Sequence, residues 1–419
     1  MYDQINGIGA EGTPAGCGPI LPGPGGDTKP LRQQVFEYVR AAGSVARADV
    51  ARALGISAGS VTTLTSDLIA AGLLREVDGN PRESRESSRG RPPVALQVVH
   101  QGRNVIGIKL SDEKHSAVLT DFAGNTLAEA TLPTPPIRKT EAQILDEMGE
   151  LISTLIASAG LALSDVTAVG IGLSGLVDHD TGVVPWSPLL ASRDVALKSA
   201  FEARFGLPAH VDNDANVLTL AELWFGAGRA MSDFAVVTIE HGVGMGLVLN
   251  NRLFRGTRGM GLELGHIKVQ LDGALCRCGQ RGCLEAYLAD YAMAREASTA
   301  LGRNARNMQS PQALLETLFD EAKAGNHAAR TIFRRAGRYL SLGLSNVIQL
   351  FDPELIILSG ERMRYDYLYA DEVLAEMRGL MLADGRTPCK VEIHAWGDLV
   401  WARGATALAL SAVTDAVLG

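Results

Sequence analysis

Residues 47–72 read RADVARALGISAGSVTTLTSDLIAAG, and this stretch predicts a helix-turn-helix. A short helix is predicted over 47–54 and ends in a turn at Gly55, because glycine reverses the chain easily. Ser57 can cap a second helix, predicted over 58–71, because its hydroxyl accepts a bond from a free backbone N–H. Two short helices joined by a glycine turn are typical of proteins that place the second helix in the major groove of DNA.

The flanking sequence extends this unit to a winged helix. Apolar residues at helical spacing from Leu31 predict a preceding helix, and two strands are predicted over 73–77 and 94–99. Three helices and a two-stranded ribbon make a winged helix-turn-helix over 29–98. Residues 29–92 contain ten Lys or Arg and seven Asp or Glu, whereas the whole chain has a net charge of −8. The basic excess lies where a DNA-binding unit is expected.

Side chains suited to DNA lie off the predicted apolar face of this unit. Small hydroxyl residues contact phosphates and base edges, and arginines hold phosphates. An Arg-Gly-Arg-Pro segment in the predicted wing resembles an arm that enters a minor groove. The alternative is a small helical domain for protein contact, with a solvated arginine loop. The predicted DNA-binding residues are Arg47, Arg52, Ser57, Ser60, Thr62, Thr63, Ser66, Arg89 and Arg91.

The remaining sequence alternates between strand and helix patterns. Apolar runs predict strands over 105–110, 166–173 and 355–359, and helical periods occur at 141–159, 285–301 and 328–350. Two successive sets of strands and helices predict a two-lobed α/β domain with a cleft. Residues 1–28 are rich in Gly and Pro and are expected to form a disordered tail.

Composition restricts the class of protein. With 419 residues, two or three domains are expected. There is no run of about 18 apolar residues and no charged start followed by an apolar core, so no membrane partner and no secretory signal are expected. Three of the five cysteines crowd into one loop, a pattern that suits a metal better than a disulfide framework. A reducing, cytoplasmic location is therefore expected.

The cysteine-rich loop reads CRCGQRGC over 276–283 and predicts a structural zinc site. Tetrahedral zinc needs four ligands, and the loop supplies the three thiolates of Cys276, Cys278 and Cys283. The imidazole of the upstream His266 completes the set. A closed set of four ligands leaves no open position for a substrate, so a structural role is predicted. Buried free cysteines are the alternative.

Four motifs occur in order along the chain: DNDAN at 212–216, GVGMG at 242–246, ELGH at 263–266 and CRCGQRGCLE at 276–285. Together they resemble the ROK family of bacterial sugar kinases and sugar-responsive repressors, and the resemblance covers about residues 30–415. An N-terminal winged helix is typical of the repressor branch, which includes xylose and N-acetylglucosamine repressors, and the kinases usually lack it.

The resemblance implies a fold and a set of sugar ligands. The fold is a two-lobed, actin-like ATPase (ribonuclease H-like) fold behind the winged helix. Asp214 matches the base that deprotonates the sugar in the kinases, and His266 would bind zinc with one nitrogen and offer the other to the sugar. Carboxylates and amides suit the many hydroxyls of a sugar. The implied sugar-binding residues are Gly175, Asn213, Asp214, Glu263, His266 and Glu285.

The segments that hold phosphates in the kinases are altered. Where an Asp-x-Gly-Gly-Thr turn is expected, residues 109–113 read KLSDE, without the glycines that bring backbone N–H groups to a phosphate. A Gly-Thr-Gly loop is replaced by residues 240–242, where Glu240 would repel a phosphate. Phosphoryl transfer depends on positioning and charge neutralisation. Neither ATP nor catalysis is therefore expected, and Asp214 would be a vestigial base.

These patterns together predict a transcriptional regulator of carbohydrate-metabolism genes, and the resemblance favours a repressor. It would bind double-stranded operator DNA as a homodimer or homotetramer, and a bound sugar would reposition its winged helices. The alternatives are an active ATP-dependent sugar kinase with a DNA-binding appendage and a regulator controlled by a protein partner. The expected domains are a tail at 1–28, a winged helix at 29–98, a first lobe at 99–228 completed by a helix at 403–419, and a second lobe with the zinc loop at 229–402.

Overall fold

Two compact units make up the protein. The computed structural model describes residues 15–20, 29–78, 94–300, 310–360, 363, 371–382, 388–394, 397 and 399–419. The first unit comprises Met1–Ser232, Val248–Met260 and Asp398–Gly419, and the second comprises Asp233–Leu247 and Gly261–Gly397. In the described part of the chain, no helix has the length and apolar character needed to cross a membrane.

The first unit begins with the predicted winged helix-turn-helix. Its elements are α1 (Leu31–Ala42), β1 (Val45–Ala46), α2 (Arg47–Leu54), α3 (Ala58–Ala70), β2 (Leu74–Asp78) and β3 (Val94–Val98), and the sheet order is β1-β3-β2. Gly55 ends α2 in the left-handed conformation with φ 63°, and Ser57 Oγ caps α3 by accepting from Ser60 N at 3.0 Å. Phe36 and Val61 are fully buried between the helices. The short strand β1, which the sequence did not reveal, pairs with β3.

A five-stranded sheet with the order β10-β7-β4-β5-β6 forms the rest of the first unit. Its elements are β4 (Asn104–Leu110), β5 (Lys114–Thr120), β6 (Thr126–Pro133), α4 (Glu141–Ala159), β7 (Val166–Leu173), β8 (Leu176–Asp178), β9 (Val183–Trp186), α5 (Leu197–Phe205), β10 (Ala209–Asn213) and α6 (Asp214–Phe225). Strands β4, β7 and β10 are parallel. Their carboxyl ends meet at one edge of the sheet, which is where ligands bind in open α/β sheets.

A C-terminal helix, α12 (Leu399–Leu418), packs against this sheet and against α6. Two glycines permit the close approach of its backbone to the strands. A Cβ atom on Gly107 would lie 2.0 Å from the carbonyl oxygen of Ala402, and one on Gly170 would lie 1.9 Å from that of Ala405. Larger residues at these two positions would force α12 away from the sheet.

Residues 15–20 differ from the disordered tail predicted over 1–28. The backbone N–H of Cys17 donates to Arg40 O at 3.2 Å, and that of Gly18 donates to Trp224 O at 2.9 Å. Cys17 is 3% exposed. Backbone groups make these hydrogen bonds, so a search for apolar side-chain periods could not detect them. The rest of the predicted tail lies outside the described residues.

The second unit is built on the parallel strands β11, β14 and β15. Its elements are β11 (Phe234–Ile239), most of β12 (Val243–Leu249), α7 (Glu285–Leu288), α8 (Asp290–Ala300), α9 (Pro311–Lys323), α10 (His327–Phe351), β14 (Leu355–Ser359), α11 (Asp371–Gly379) and β15 (Lys390–His394), and β13 (Arg252–Phe254) returns to the first unit. The single helix expected over 285–301 is interrupted at Ala289, because Asp290 N donates to Glu240 O at 3.1 Å instead of continuing it.

Candidate functional site

The predicted recognition helix α3 presents its hydroxyl residues to solvent. Val61, Thr65 and Leu68 are buried on one face of α3. The other face is left clear of the winged-helix core, which is the arrangement that lets such a helix enter a DNA groove. The exposed hydroxyl residues on α3 and at its cap are Ser57, Ser60, Thr62, Thr63 and Ser66.

The two arginines predicted to hold phosphates have different surroundings. Arg47 Nε donates to Thr65 Oγ1 at 2.9 Å, and its guanidinium pairs with Glu76 at 2.7 Å, so it ties α2 to α3 and β2. Arg52 is 78% exposed and pairs with its neighbour Asp49 at 2.8 Å. The structure therefore favours Arg52 over Arg47 as a phosphate contact. The predicted Arg89 and Arg91 lie outside the described residues.

The four predicted metal ligands form one cluster in the second unit. Cys276 Sγ lies 3.7 Å from His266 Nδ1, and Cys278 Sγ lies 3.7 Å from Cys283 Sγ. All four ligand atoms lie within 4.8 Å of one another. A tetrahedral zinc with Zn–S bonds of about 2.3 Å places its sulfurs about 3.8 Å apart. The donor set and its spacing therefore fit a zinc ion.

The metal cluster is connected to the rest of the second unit by charged side chains. Lys268 Nζ donates to Cys283 Sγ at 2.9 Å, a contact that would stabilise a thiolate. Glu285 Oε1 lies 3.5 Å from Cys276 Sγ, and its Oε2 accepts from Val243 N at 3.4 Å. Glu285 thus joins the cysteine loop to the start of β12, and its role as a sugar ligand stays a prediction.

Three predicted sugar-binding residues lie together in the first unit. Asn213 Oδ1 caps α6 by accepting from Ala215 N at 2.8 Å, and its Nδ2 donates to Gly175 O at 2.7 Å. Gly175 has a φ of 125°, and a Cβ atom there would lie 2.3 Å from Trp186 O, so only glycine suits this position. The loop after β7 is thereby held against the start of α6, where Asp214 begins the helix.

The Asp214 carboxylate is engaged by three donors. Its Oδ2 accepts from Ser174 Oγ at 2.5 Å and from Lys109 Nζ at 2.9 Å, and its Oδ1 accepts from Ala215 N at 3.0 Å. Burial alone would raise the pKa of Asp214, but the charge of Lys109 and these hydrogen bonds lower it below its ordinary value. Asp214 therefore stays ionised and accepts hydrogen bonds.

Lys109 is a site residue that sequence reasoning missed. It is 8% exposed, on β4, and it begins the segment that replaces the kinase phosphate turn. The signal was present in the sequence, since a lysine occupies the position of the first aspartate of Asp-x-Gly-Gly-Thr.

The altered phosphate segments are closed by internal hydrogen bonds. In the first unit, Ser111 N donates to His115 Nδ1 at 3.0 Å. This backbone N–H belongs to the segment that replaces the phosphate turn, and a side chain already accepts its hydrogen bond. In the second unit, Glu240 N donates to Gly242 O at 2.9 Å. In each segment at least one backbone N–H is thus bonded within the protein and is not free to bind an anion.

The remaining predicted sugar ligands belong to the second unit. Glu263 precedes a short 3-10 helix, and His266 N donates to Glu263 O at 2.9 Å. Leu262 before it has a φ of 67°, a left-handed conformation that costs energy for a leucine. The structure thus groups Glu263 with His266, a member of the candidate metal cluster, within one short segment.

Comparisons with known proteins identify the family of the chain. The ROK family profile matches residues 105–412, so the chain belongs to the ROK family. It is 28% identical over 328 residues to the N-acetylglucosamine repressor of Escherichia coli O157:H7, covering 78% of this chain and 79% of that protein. It is 24% identical over 334 residues to the xylose repressor of Caldicellulosiruptor bescii, covering 78% of this chain and 82% of that one.

Solved structures include both branches of the family. A ROK family transcriptional regulator described as a homologue of the E. coli MLC protein has a TM-score of 0.74 and 27% identity, covering 92% of this chain and 96% of that chain. A ROK family glucokinase from Streptomyces griseus, in complex with glucose and AMPPNP, has a TM-score of 0.62 and 30% identity, covering 73% of this chain and 98% of that chain. The match to the regulator thus covers more of this chain than the match to the glucokinase.

Proposed function

We propose that the protein is a sugar-controlled, DNA-binding transcriptional regulator, with repression favoured by the names of its relatives. The observation that carries the proposal is the packing of a winged helix, with an exposed hydroxyl face on α3, onto the unit that contains the sugar motif. Arg40 of α1 lies 4.5 Å from the Trp224 ring centroid and donates to Thr414 Oγ1 at 2.8 Å. Trp224 lies on α6, the helix that begins in the sugar motif, and Thr414 lies on α12.

Helix α6 offers a route for coupling the two functions. It begins at Asp214 of the sugar motif and ends beside Trp224, which Arg40 contacts. Just beyond it, Arg229 donates to Ala41 O, the carbonyl of a residue in the last turn of α1, at 2.6 Å. A sugar that moves the start of α6 would therefore also move the support of the DNA-binding unit.

The finer features of the proposal concern the metal, the sugar and the oligomeric state. The metal would be a structural Zn²⁺ held by His266, Cys276, Cys278 and Cys283, and it would rigidify the loop that Glu285 joins to β12. The sugar would be a small neutral or phosphorylated sugar. A homodimer or homotetramer would read two half-sites of an operator in the cytoplasm. The donors around Asp214 argue against the kinase alternative.

A thermal-shift screen tests the sugar part of the proposal. The zinc-loaded protein is heated with glucose, xylose, N-acetylglucosamine or N-acetylglucosamine 6-phosphate, and separately with Mg-ATP. A ligand that binds only the folded state at about 100 times its Kd adds about 2.7 kcal/mol and raises the Tm. We expect one sugar to raise the Tm, and Mg-ATP to have no effect.

DNA binding is measured next by fluorescence anisotropy with fragments from the region upstream of the protein's own gene. The active sugar is expected to change the Kd, whereas the other sugars leave it unchanged. Asp214→Asn serves as the matched variant that removes the sugar response but keeps α3 intact. A Tm shift or hydrolysis with Mg-ATP would support the kinase alternative. A lack of response to all sugars would support control by a protein partner.

A further inference from the structure

We propose that Lys109 is a positioning residue of the effector site, whose ammonium fixes Asp214 as an ionised acceptor for a ligand hydroxyl. This inference rests on the proposed sugar-binding function. It concerns the residue that stands where a phosphate-turn aspartate is expected. The geometry that carries it is an ion pair between groups separated by 105 positions in the chain.

Within the described part of the chain, the Lys109 ammonium has one anionic partner, Asp214. The residue lies in β4, between β5 and β7, and is 8% exposed. Its Nζ lies 2.9 Å from Asp214 Oδ2 and 5.7 Å from the Trp401 ring centroid. Removing a lysine from water is costly unless a carboxylate and an aromatic face compensate it. The pair is therefore a built feature of the sheet edge.

The pair also defines what Asp214 can do for a ligand. An ionised carboxylate offers about four acceptor positions, and Ser174, Lys109 and the Ala215 N–H occupy three of them. The position left is suited to a single hydroxyl donor. A carboxylate stabilised by a cation is a weak base, so a bound hydroxyl keeps its proton and is held without being activated.

Within the described residues, Lys109 supplies the positive charge that pairs with Asp214, because the other charged groups nearby pair with Asp212. On β10, Asp212 is 1% exposed, and Arg255 pairs with it at 2.7 Å while His179 lies 3.5 Å away. From the loop after β7 the neutral Ser174 donates to Asp214, and from α12 the ring of Trp401 lies beside Lys109. Removal of the Lys109 charge is therefore expected to raise the pKa of Asp214, so that the carboxylate binds a proton more readily.

A thermal mutant cycle tests the pairing without a ligand. Lys109→Met, Asp214→Asn and the double variant are melted at pH 7 as full-length, zinc-loaded protein. Lys109→Met leaves the partly buried Asp214 carboxylate without its cation, and Asp214→Asn leaves the buried Lys109 ammonium without its anion. Each single change is therefore expected to lower the Tm, and the double variant is expected to lose less than the sum. Additive losses would overturn the proposal. If Lys109→Met does not fold, Lys109→Gln, which keeps a donor but no charge, replaces it.

The pH profile of affinity tests the positioning role. Calorimetry uses whichever of glucose, xylose, N-acetylglucosamine and N-acetylglucosamine 6-phosphate stabilises the native protein most. Wild type is expected to keep its affinity from pH 8 to pH 5. Lys109→Met is expected to lose about tenfold or more over that range, because its Asp214 binds a proton. Lys109→Arg is expected to restore the flat profile.

The outcomes separate this inference from the function on which it rests. A flat profile and unchanged affinity in Lys109→Met would overturn the positioning role while sugar control stands. If none of the four sugars binds wild type, the proposed function fails for them. The thermal cycle then still decides whether Lys109 fixes Asp214, with non-additive losses in support and additive losses against.

Discussion

The metal cluster and the Asp214 site are assembled in opposite ways. The cluster takes its ligands from one short stretch between His266 and Cys283, whose spacing alone predicts the chemistry. Asp214 meets Ser174 across 40 positions of sequence and Lys109 across 105. A local motif can therefore be identified from residue types and spacing. A site at the edge of a sheet depends on which residues the strands bring together.

The largest expected effect comes from removing a ligand of the metal cluster. Cys276→Ser removes one of four ligands, and structural zinc supplies about 10–16 kcal/mol of apparent binding free energy in small zinc domains. We expect zinc content to fall from about one ion per chain to near zero, and the Tm of the second unit to drop. Mass spectrometry of bound metal and calorimetry measure both.

Cys389→Ser is the matched control for the metal prediction. Cys389 is half-buried and lies outside the cluster of ligands. The Cys389→Ser substitution should leave the zinc content unchanged. Full zinc content and an unaltered Tm in Cys276→Ser would contradict the assignment of the ligands.

A smaller, pH-dependent effect is expected at His115, which accepts from Ser111 N in the segment that replaces the phosphate turn. Burial lowers the pKa of His115, and its hydrogen bond to Glu147 only partly opposes this. The unfolded chain therefore binds a proton near pH 6.5 that the folded chain resists, so stability falls as pH drops below that value. The loss approaches about 1.4 kcal/mol per pH unit while folded His115 stays neutral.

His115→Gln is expected to reduce this slope, measured as Tm between pH 8 and pH 5. Part of the slope should remain, because burial also lowers the pKa of His179 and His210. His327→Gln, at an exposed position on α10, is the control and should leave the slope unchanged. Equal slopes in wild type and His115→Gln would count against a neutral His115 as the support of Ser111.

Regular elements were predicted well where one local period decides them. The third helix was expected over 58–71 and is observed at Ala58–Ala70, and the strand expected over 355–359 is observed as β14. A capping serine and an unbroken apolar run are properties of neighbouring residues. The sequence therefore contains what is needed to place them.

Features set by distant contacts could not be predicted in this way. The break at Ala289 depends on the carbonyl of Glu240, and the burial of Cys17 depends on backbone groups of α1 and α6. Lys109 could be seen as a lysine in an unusual position, but its partner is defined only when β4 and β10 lie in one sheet. A charged residue that replaces a motif residue can be interpreted only once the structure shows which group it contacts.

The smallest effects are expected at the predicted DNA-binding surface. Two arginines there have the same predicted role but different surroundings. Arg52→Ala should weaken DNA binding about equally across sequences and reduce the slope of log K against log salt by about 1, because one phosphate contact is lost. Arg47→Ala should instead cost about 1 kcal/mol of stability, since Thr65 and Glu76 lose their partner. Salt titrations by fluorescence anisotropy and thermal melts distinguish them. An unchanged salt slope in Arg52→Ala, with a reduced slope in Arg47→Ala, would reverse the assignment and show that Arg47 leaves its intramolecular partners to bind DNA.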